Sequence, residues 1–140
     1  MDSIAIVERF WREVWQQPQN PEAIDQMVGK DFVITSGGRD IVGREAFKAW
    51  VIAFQARIHD LQFESIETFQ NQDGSRVASR WKITGRNNGF LGTQANNVYF
   101  EMTGTAVWAV SQNGLLEHNW VERNAFEVYA VLRASKPSSS

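Results

Sequence analysis

The sequence predicts a single α+β domain in which helices and a strongly curved antiparallel sheet close around a small-molecule pocket. Three observations lead there. Apolar residues recur at helical spacing up to about residue 57 and alternate with polar ones afterwards, as long strands do. Two turn signals, Gln72-Asp73-Gly74 and Asn113-Gly114, separate the alternating runs, so the strands meander as antiparallel neighbours. The chain also carries six Trp and nine Phe against two Tyr. Rings in that number fill the core of a small domain and wall its pockets.

Each element follows from its local pattern. Ile4, Val7, Trp11 and Val14 are spaced for a helix over 3–16, with Ile6, Phe10 and Trp15 widening the apolar stripe. Gln17-Pro18-Gln19-Asn20-Pro21 breaks it. Asn20 then caps a second, short helix with Pro21 at its first position; Ile24, Met27 and Val28 face inward and Gly29 ends it. Asp31 to Thr35 reads as a strand closed by the Ser36-Gly37-Gly38 turn. A third helix runs from Arg44 to Arg57 with Phe47, Trp50, Val51 and Phe54 on one side. Its centre, residues 49–54, is apolar nearly all round, which predicts burial on more than one face.

From there the period is that of strands. Leu61 and Phe63 alternate before the parity slips to Ile66, which predicts a bulge near Ser65. Val77, Ser79, Trp81 and Ile83 form one face of the next strand, with Arg80 and Lys82 on the other. A polar loop, Gly85 to Asn97, leads to a long strand whose Val98, Phe100, Met102, Ala106, Trp108 and Val110 share a face interrupted at Gly104. Leu115 to Arg123 is the closing strand, and Ala125 to Leu132 a final helix. Residues 1–134 thus make one domain, with 135–140 a disordered tail.

Composition excludes several functions. Hydrophobic residues at 43% and charged residues at 21% are ordinary for a globular protein. A net charge of −2 with 14 scattered basic residues argues against nucleic acid and anionic membranes as partners. There is no Cys, hence no disulfide, thiolate nucleophile or cysteine metal site. The two histidines, His59 and His118, are far apart in sequence, so neither a metal nor another cofactor is expected. No charged leader precedes an apolar run, and no segment approaches the roughly 20 apolar residues of a membrane span. A cytoplasmic location is the expectation.

Taken in order, several pieces of the chain resemble the SnoaL-like polyketide cyclases of the nuclear transport factor cone fold. They are Phe10-Trp11-Arg12-Glu13-Val14-Trp15, Asp31-Phe32-Val33, Gly43-Arg44-Glu45-Ala46-Phe47-Lys48 and His59-Asp60-Leu61-Gln62-Phe63. Arg80-Trp81, the spaced Gly85, Gly89 and Gly92, Asn113-Gly114 and Asn119-Trp120-Val121-Glu122 complete the set. The resemblance implies an intramolecular aldol closure of a polyketide ester, in which a carboxylate removes a proton alpha to a carbonyl and donors hold the enolate oxygen. It places the acid/base four residues after the closing-strand tryptophan, where this chain has Asn124. An amide donates hydrogen bonds but is no base. The family's assisting histidine has no counterpart in Trp108-Ala109-Val110, and Asn96-Asn97 replaces a Thr-Gly of the family loop, where a tight turn is the plain reading. The resemblance also implies a homodimer, a second subunit covering the sheet face that the helices leave open.

His118, Trp120, Glu122 and Asn124 have one parity, so an unbulged closing strand presents them together. That face is either a pocket wall or a hydrated outer face with Trp120 in a subunit contact. As a pocket wall it supplies the catalytic candidates Asn124, Glu122 and His118. His118 and Glu122, roughly 13 Å apart along a strand, cannot form a dyad, whereas Glu122 and Asn124 at roughly 6–7 Å can touch one ligand. Glu122 is then a relocated base, or else an exposed charge paired with Arg123 or Arg80. The ligand-binding candidates are Trp15, Trp50, Phe54, Trp81, Trp108 and Trp120; the first five serve equally as core and Trp120 as a subunit contact, while His59 caps or is exposed. Three functions stay open: a cyclase-like enzyme with an altered acid/base position, a ketosteroid-isomerase-like isomerase using Tyr99 or Tyr129 as oxyanion donor, and a non-catalytic binding domain for a small apolar ligand.

Overall fold

The computed structural model describes residues 2–134; the expected tail at 135–140 lies outside them. Helix α1 (Ser3–Phe10) begins where the Asp2 carboxylate accepts the Ala5 N–H at 3.1 Å, a side-chain N-cap. It continues into a π-helical turn, Trp11–Trp15, closed by the Gln16 N–H on the Trp11 carbonyl at 3.0 Å. The predicted helix is therefore present, but its last turn is widened, and Trp11, Val14 and Trp15 are all buried by it. A 3-10 turn with Pro21 in its first turn leads to α2 (Ile24–Met27).

Strand β1 (Val28–Ser36) starts three residues earlier than its sequence pattern suggests, because Val28 already pairs with Leu116. The Gly37-Gly38 turn, both residues at positive φ, then folds back a short strand, β2 (Arg39–Val42), that the sequence reading misses. Its residues are mostly exposed and carry no apolar alternation. Helix α3 (Arg44–Ala56) buries Phe47, Val51 and Phe54. Burial on several faces is not observed: Ala49 and Ala53 are exposed and Ile52 is 44% exposed, so α3 is a surface helix with one apolar face.

Strands β3 (Ile58–Gln70), β4 (Arg76–Asn87), β5 (Tyr99–Val110) and β6 (Leu116–Arg123) follow, then helix α4 (Ala125–Ala134). The six strands form one curved sheet in the order β2-β1-β6-β5-β4-β3, antiparallel except where β1 runs parallel to β6. The expected bulge is there: pairing slips between Ser65 and Glu67, and it leaves Ile66 41% exposed. Another slip, at Glu117, where Leu116 and His118 pair with the adjacent Val110 and Ala109, reverses the parity of β6. The slip at Glu117 decides which closing-strand residues face inward.

The predicted inner face of β5 is buried, with Trp108 at 0% exposure in contact with the rings of Phe10, Trp11 and Phe32. Gly104 interrupts that face for a steric reason. A Cβ there would stand 2.2 Å from Cζ2 of Trp81, whose indole lies across β5 in the space a side chain would fill. The loop after β4 is tied by Asn87, whose Nδ2 donates to Asn96 Oδ1 at 2.9 Å, and Asn97 takes the expected positive φ of 57°. No helix among the described residues is long and apolar enough to cross a membrane.

Candidate functional site

The inner face of the sheet, the π-helical turn and α3 enclose a narrow cavity of about 30 Å3. Eight aromatic rings line it: Phe10, Trp11 and Trp15 from the first helix and its turn, Phe47, Trp50 and Phe54 from α3, Phe63 from β3 and Trp81 from β4. The rings stand close, with Trp11 and Phe63 stacked at 4.6 Å and Trp15 meeting Phe54 edge-on at 5.2 Å, so the free space is a narrow slot. Trp11 is oriented by its indole N–H, which donates to Ser79 Oγ at 2.9 Å; Ser79 in turn contacts Thr68 at 3.0 Å, and Thr68 and Ser65 both donate to the Glu8 carboxylate. Ile34, Ile83 and Val121 complete the apolar wall.

Among the described residues, only two that line it carry a polar or charged head group other than an indole N–H: Asn119 and Arg123, both from β6. Asn119 is 3% exposed and its Oδ1 has no hydrogen-bond partner. Trp81 is 5% exposed, and its Nε1–H is likewise without an acceptor. A buried polar group left unsatisfied costs about 1–3 kcal/mol. Arg123 is half-buried at the cavity edge, its guanidinium 5.1 Å above the Phe54 ring and Nη1 3.8 Å from the Met102 sulfur. Among the described residues no carboxylate pairs with it, and burial lowers its pKa from the ordinary value. It remains a cation at neutral pH. The cavity therefore presents one unpartnered donor, one unpartnered acceptor and, at its edge, a cation without a carboxylate.

The predicted site residues divide. Trp15, Trp50, Phe54 and Trp81 line the cavity. Trp108 is packed behind it, with its Nε1–H also unpartnered. Trp120 lies outside, 38% exposed, stacked on His118 at 3.8 Å with the Arg76 guanidinium 5.6 Å above its ring. His118, Trp120 and Glu122 do share a face, but it is the outer one, because the slip at Glu117 turns Asn119, Val121 and Arg123 inward instead.

None of the three catalytic candidates lines the cavity. Glu122 is exposed opposite Thr105, and Arg80 pairs with Glu67 at 2.7 Å rather than with it. Asn124 continues the β5–β6 ladder: its Oδ1 accepts the Thr103 N–H at 3.0 Å and its own N–H donates to the Thr103 carbonyl at 3.2 Å. Its carbonyl then accepts from Val128 in the first turn of α4, at 3.1 Å. His118 Nε2 lies 2.9 Å from Thr35 Oγ1, which donates its one proton to Asp40 at 2.6 Å, so Nε2 must carry the proton on the imidazole. Burial lowers the His118 pKa, Asp40 opposes that shift, and Arg76 reinforces it. His59, Tyr99 and Tyr129 also stay outside the cavity, His59 exposed as one of its expected roles had it.

Asn119 and Arg123, the polar lining residues, are absent from the sequence-derived candidates. Val121 was the available signal: it is the one aliphatic residue in 117–123, and its parity marks the inward face. Trp120, being larger, keeps the opposite face open as a pocket wall beside the outer-face alternative. Among the described residues no cluster of His, Asp and Glu is arranged to hold a metal.

Comparison with known proteins agrees with this architecture. The profile of the SnoaL-like polyketide cyclase family matches residues 5–132. No curated protein sequence matches the chain. Among solved structures, one named as a SnoaL-like polyketide cyclase from Jannaschia sp. CCS1 superposes with a TM-score of 0.86 at 15% identity, covering 95% of this chain and 92% of that one. One named as a polyketide cyclase from Acidithiobacillus ferrooxidans superposes at 0.77 with 22% identity and 95% of both chains covered. The epoxide hydrolase/cyclase-like enzyme SalBIII, of pyran ring formation in the polyether salinomycin, superposes at 0.74 with 19% identity, covering 89% of this chain and 92% of its own. At these identities the likeness is one of fold.

Proposed function

This chain belongs to the SnoaL-like polyketide cyclase family, and from that premise we propose that it binds a ring-sized, largely apolar small molecule in the slot between α3 and the sheet. One observation carries the reading: eight aromatic rings converge on an internal cavity whose other polar lining groups, among the described residues, are Asn119 and Arg123. A cavity of this make-up favours binding and orienting a ring over removing a proton from it. No carboxylate or imidazole lines it among the described residues. At the position where the resemblance puts the family's acid/base, Asn124 uses its amide to hold the Thr103 backbone.

Native mass spectrometry of the purified protein, followed by identification of whatever is released, tests the reading. A bound small molecule with a ring is expected, and Trp fluorescence is expected to respond to single-ring compounds. No response to any neutral or acidic ring compound contradicts it. So does turnover of a polyketide-like ester that collapses in Glu122→Gln, since that residue lies outside the proposed site. The same reading includes a homodimer formed through the outer sheet face, where Trp120 and Phe69 are 38% and 55% exposed. Light scattering that gives the monomer mass at every workable concentration contradicts that part.

A further inference from the structure

We propose that the molecule held in the slot is a ring acid: its anionic oxygen is bound by the Arg123 guanidinium at the cavity edge, and a hydroxyl or N–H at its far end donates to Asn119. The inference rests on the small-molecule reading above and narrows it to a ligand class.

Two buried groups without a hydrogen-bond partner and one cation without a carboxylate point to this chemistry. Arg123 is a cation that no carboxylate of the described chain neutralises, held against Phe54 and the Met102 sulfur. A purely hydrocarbon occupant would seal that charge further from water without compensating it. A carboxylate or comparable anion fits the planar, forked guanidinium through two parallel hydrogen bonds. Trp81 supplies a second donor on the same side. In the sheet register Trp81 pairs with Gly104 and Gly104 with Arg123, so the two flank one glycine in a single row. The missing side chain at Gly104 is what lets the indole lie across that row. Two donors from that row meet an acceptor-rich, negatively charged group.

The opposite requirement holds at Asn119. Its buried Oδ1 accepts and has nothing to accept from. Asn119 precedes Arg123 by four residues on the same strand face, roughly 13 Å of backbone, with the ring wall between them. The donor and the anion of the ligand therefore sit at opposite ends of its ring, not on neighbouring atoms.

Calorimetric titration of the whole protein with benzoate, its neutral isostere benzamide and 4-hydroxybenzoate tests the assignment. In the wild type, benzoate should bind at least about tenfold tighter than benzamide, and 4-hydroxybenzoate tighter than benzoate. Arg123→Met should erase the preference for benzoate while benzamide still binds, and Arg123→Lys should keep part of it. Asn119→Leu should erase only the advantage of the hydroxyl. Equal binding of benzoate and benzamide by the wild type, or a preference that survives Arg123→Met, overturns the anion assignment and leaves the slot as a neutral-ring site. Equal binding of benzoate and 4-hydroxybenzoate overturns the Asn119 assignment. Failure of all three probes to bind overturns the small-molecule reading itself. Benzamide binding by Arg123→Met serves as the check that this variant is folded.

Discussion

Gly104→Ala should push the Trp81 indole out of its place and into the slot. The new Cβ would lie 2.2, 2.6 and 2.8 Å from Cζ2, Cε2 and Cη2 of Trp81, against an ordinary carbon–carbon approach of about 3.5–4.0 Å. The ring is rigid, 5% exposed, and stacked at 6.1 Å on Phe63, so its open direction is the cavity. Overpacking of this kind costs about 1–3 kcal/mol. Replacing a strand glycine by alanine returns about 0.5–1 kcal/mol of that through the unfolded chain. A net loss of about 1–2 kcal/mol is expected, which for a domain of this size lowers Tm by about 2–8 °C. Trp81→Phe removes the benzo edge that meets the Cβ, so Gly104→Ala made in that background should be neutral or slightly stabilising. Urea unfolding of the four proteins gives the coupling, expected at about 1 kcal/mol or more. The same loss in both backgrounds would refute the steric account of Gly104.

Three further outcomes follow from the same geometry. Arg123→Met removes an unpaired, partly desolvated charge at the expense of a cation–π contact, and should raise stability by about 1 kcal/mol in urea melts even as the proposed anion preference is lost; a fall in stability would mean that the guanidinium has a partner in solution. Asn124→Ala should lose about 1 kcal/mol by freeing the Thr103 N–H, whereas Asn124→Asp keeps an acceptor there and should gain no proton-abstraction activity; pH-dependent turnover acquired by Asn124→Asp would contradict its placement outside the slot. His118 has a folded pKa below its ordinary 6.5, chiefly through burial, so the stability it contributes is complete above that value and is lost as pH falls through it toward the folded pKa. His118→Gln should flatten the acid side of the stability profile, and an unchanged profile would contradict the shift.

The fold was legible because its cues are local and repeated. Period changes, the Asn113-Gly114 turn, the Ser65 bulge and the interruption at Gly104 each leave a mark in a few consecutive residues. Strand β2 escaped because a short, exposed edge strand needs no apolar face. The wall of the slot was half legible: Trp15, Trp50, Phe54 and Trp81 follow from large rings on inward faces. Its polar end was not, because one extra residue at Glu117 exchanges the two faces of β6, and the sequence marks that slip only through Val121. The same slip puts His118, Trp120 and Glu122 on the outer face, one of the two alternatives that their shared parity left open. Asn124 read as a site residue through the resemblance, whereas its partner is a backbone amide that no side-chain pattern reveals.

Ligand entry to the inner slot rather than the outer face of β6 is reported by the chain's own six tryptophans. Indole N–H cross-peaks of 15N-Trp-labelled protein, assigned by substitution and followed during titration with 4-hydroxybenzoate, test it most directly. Trp81 is expected to shift most, because its unpartnered Nε1–H gains an acceptor, with smaller shifts for Trp15 and Trp50 and none for Trp120. A titration that moves Trp120 and leaves Trp81 in place would contradict binding in the inner slot.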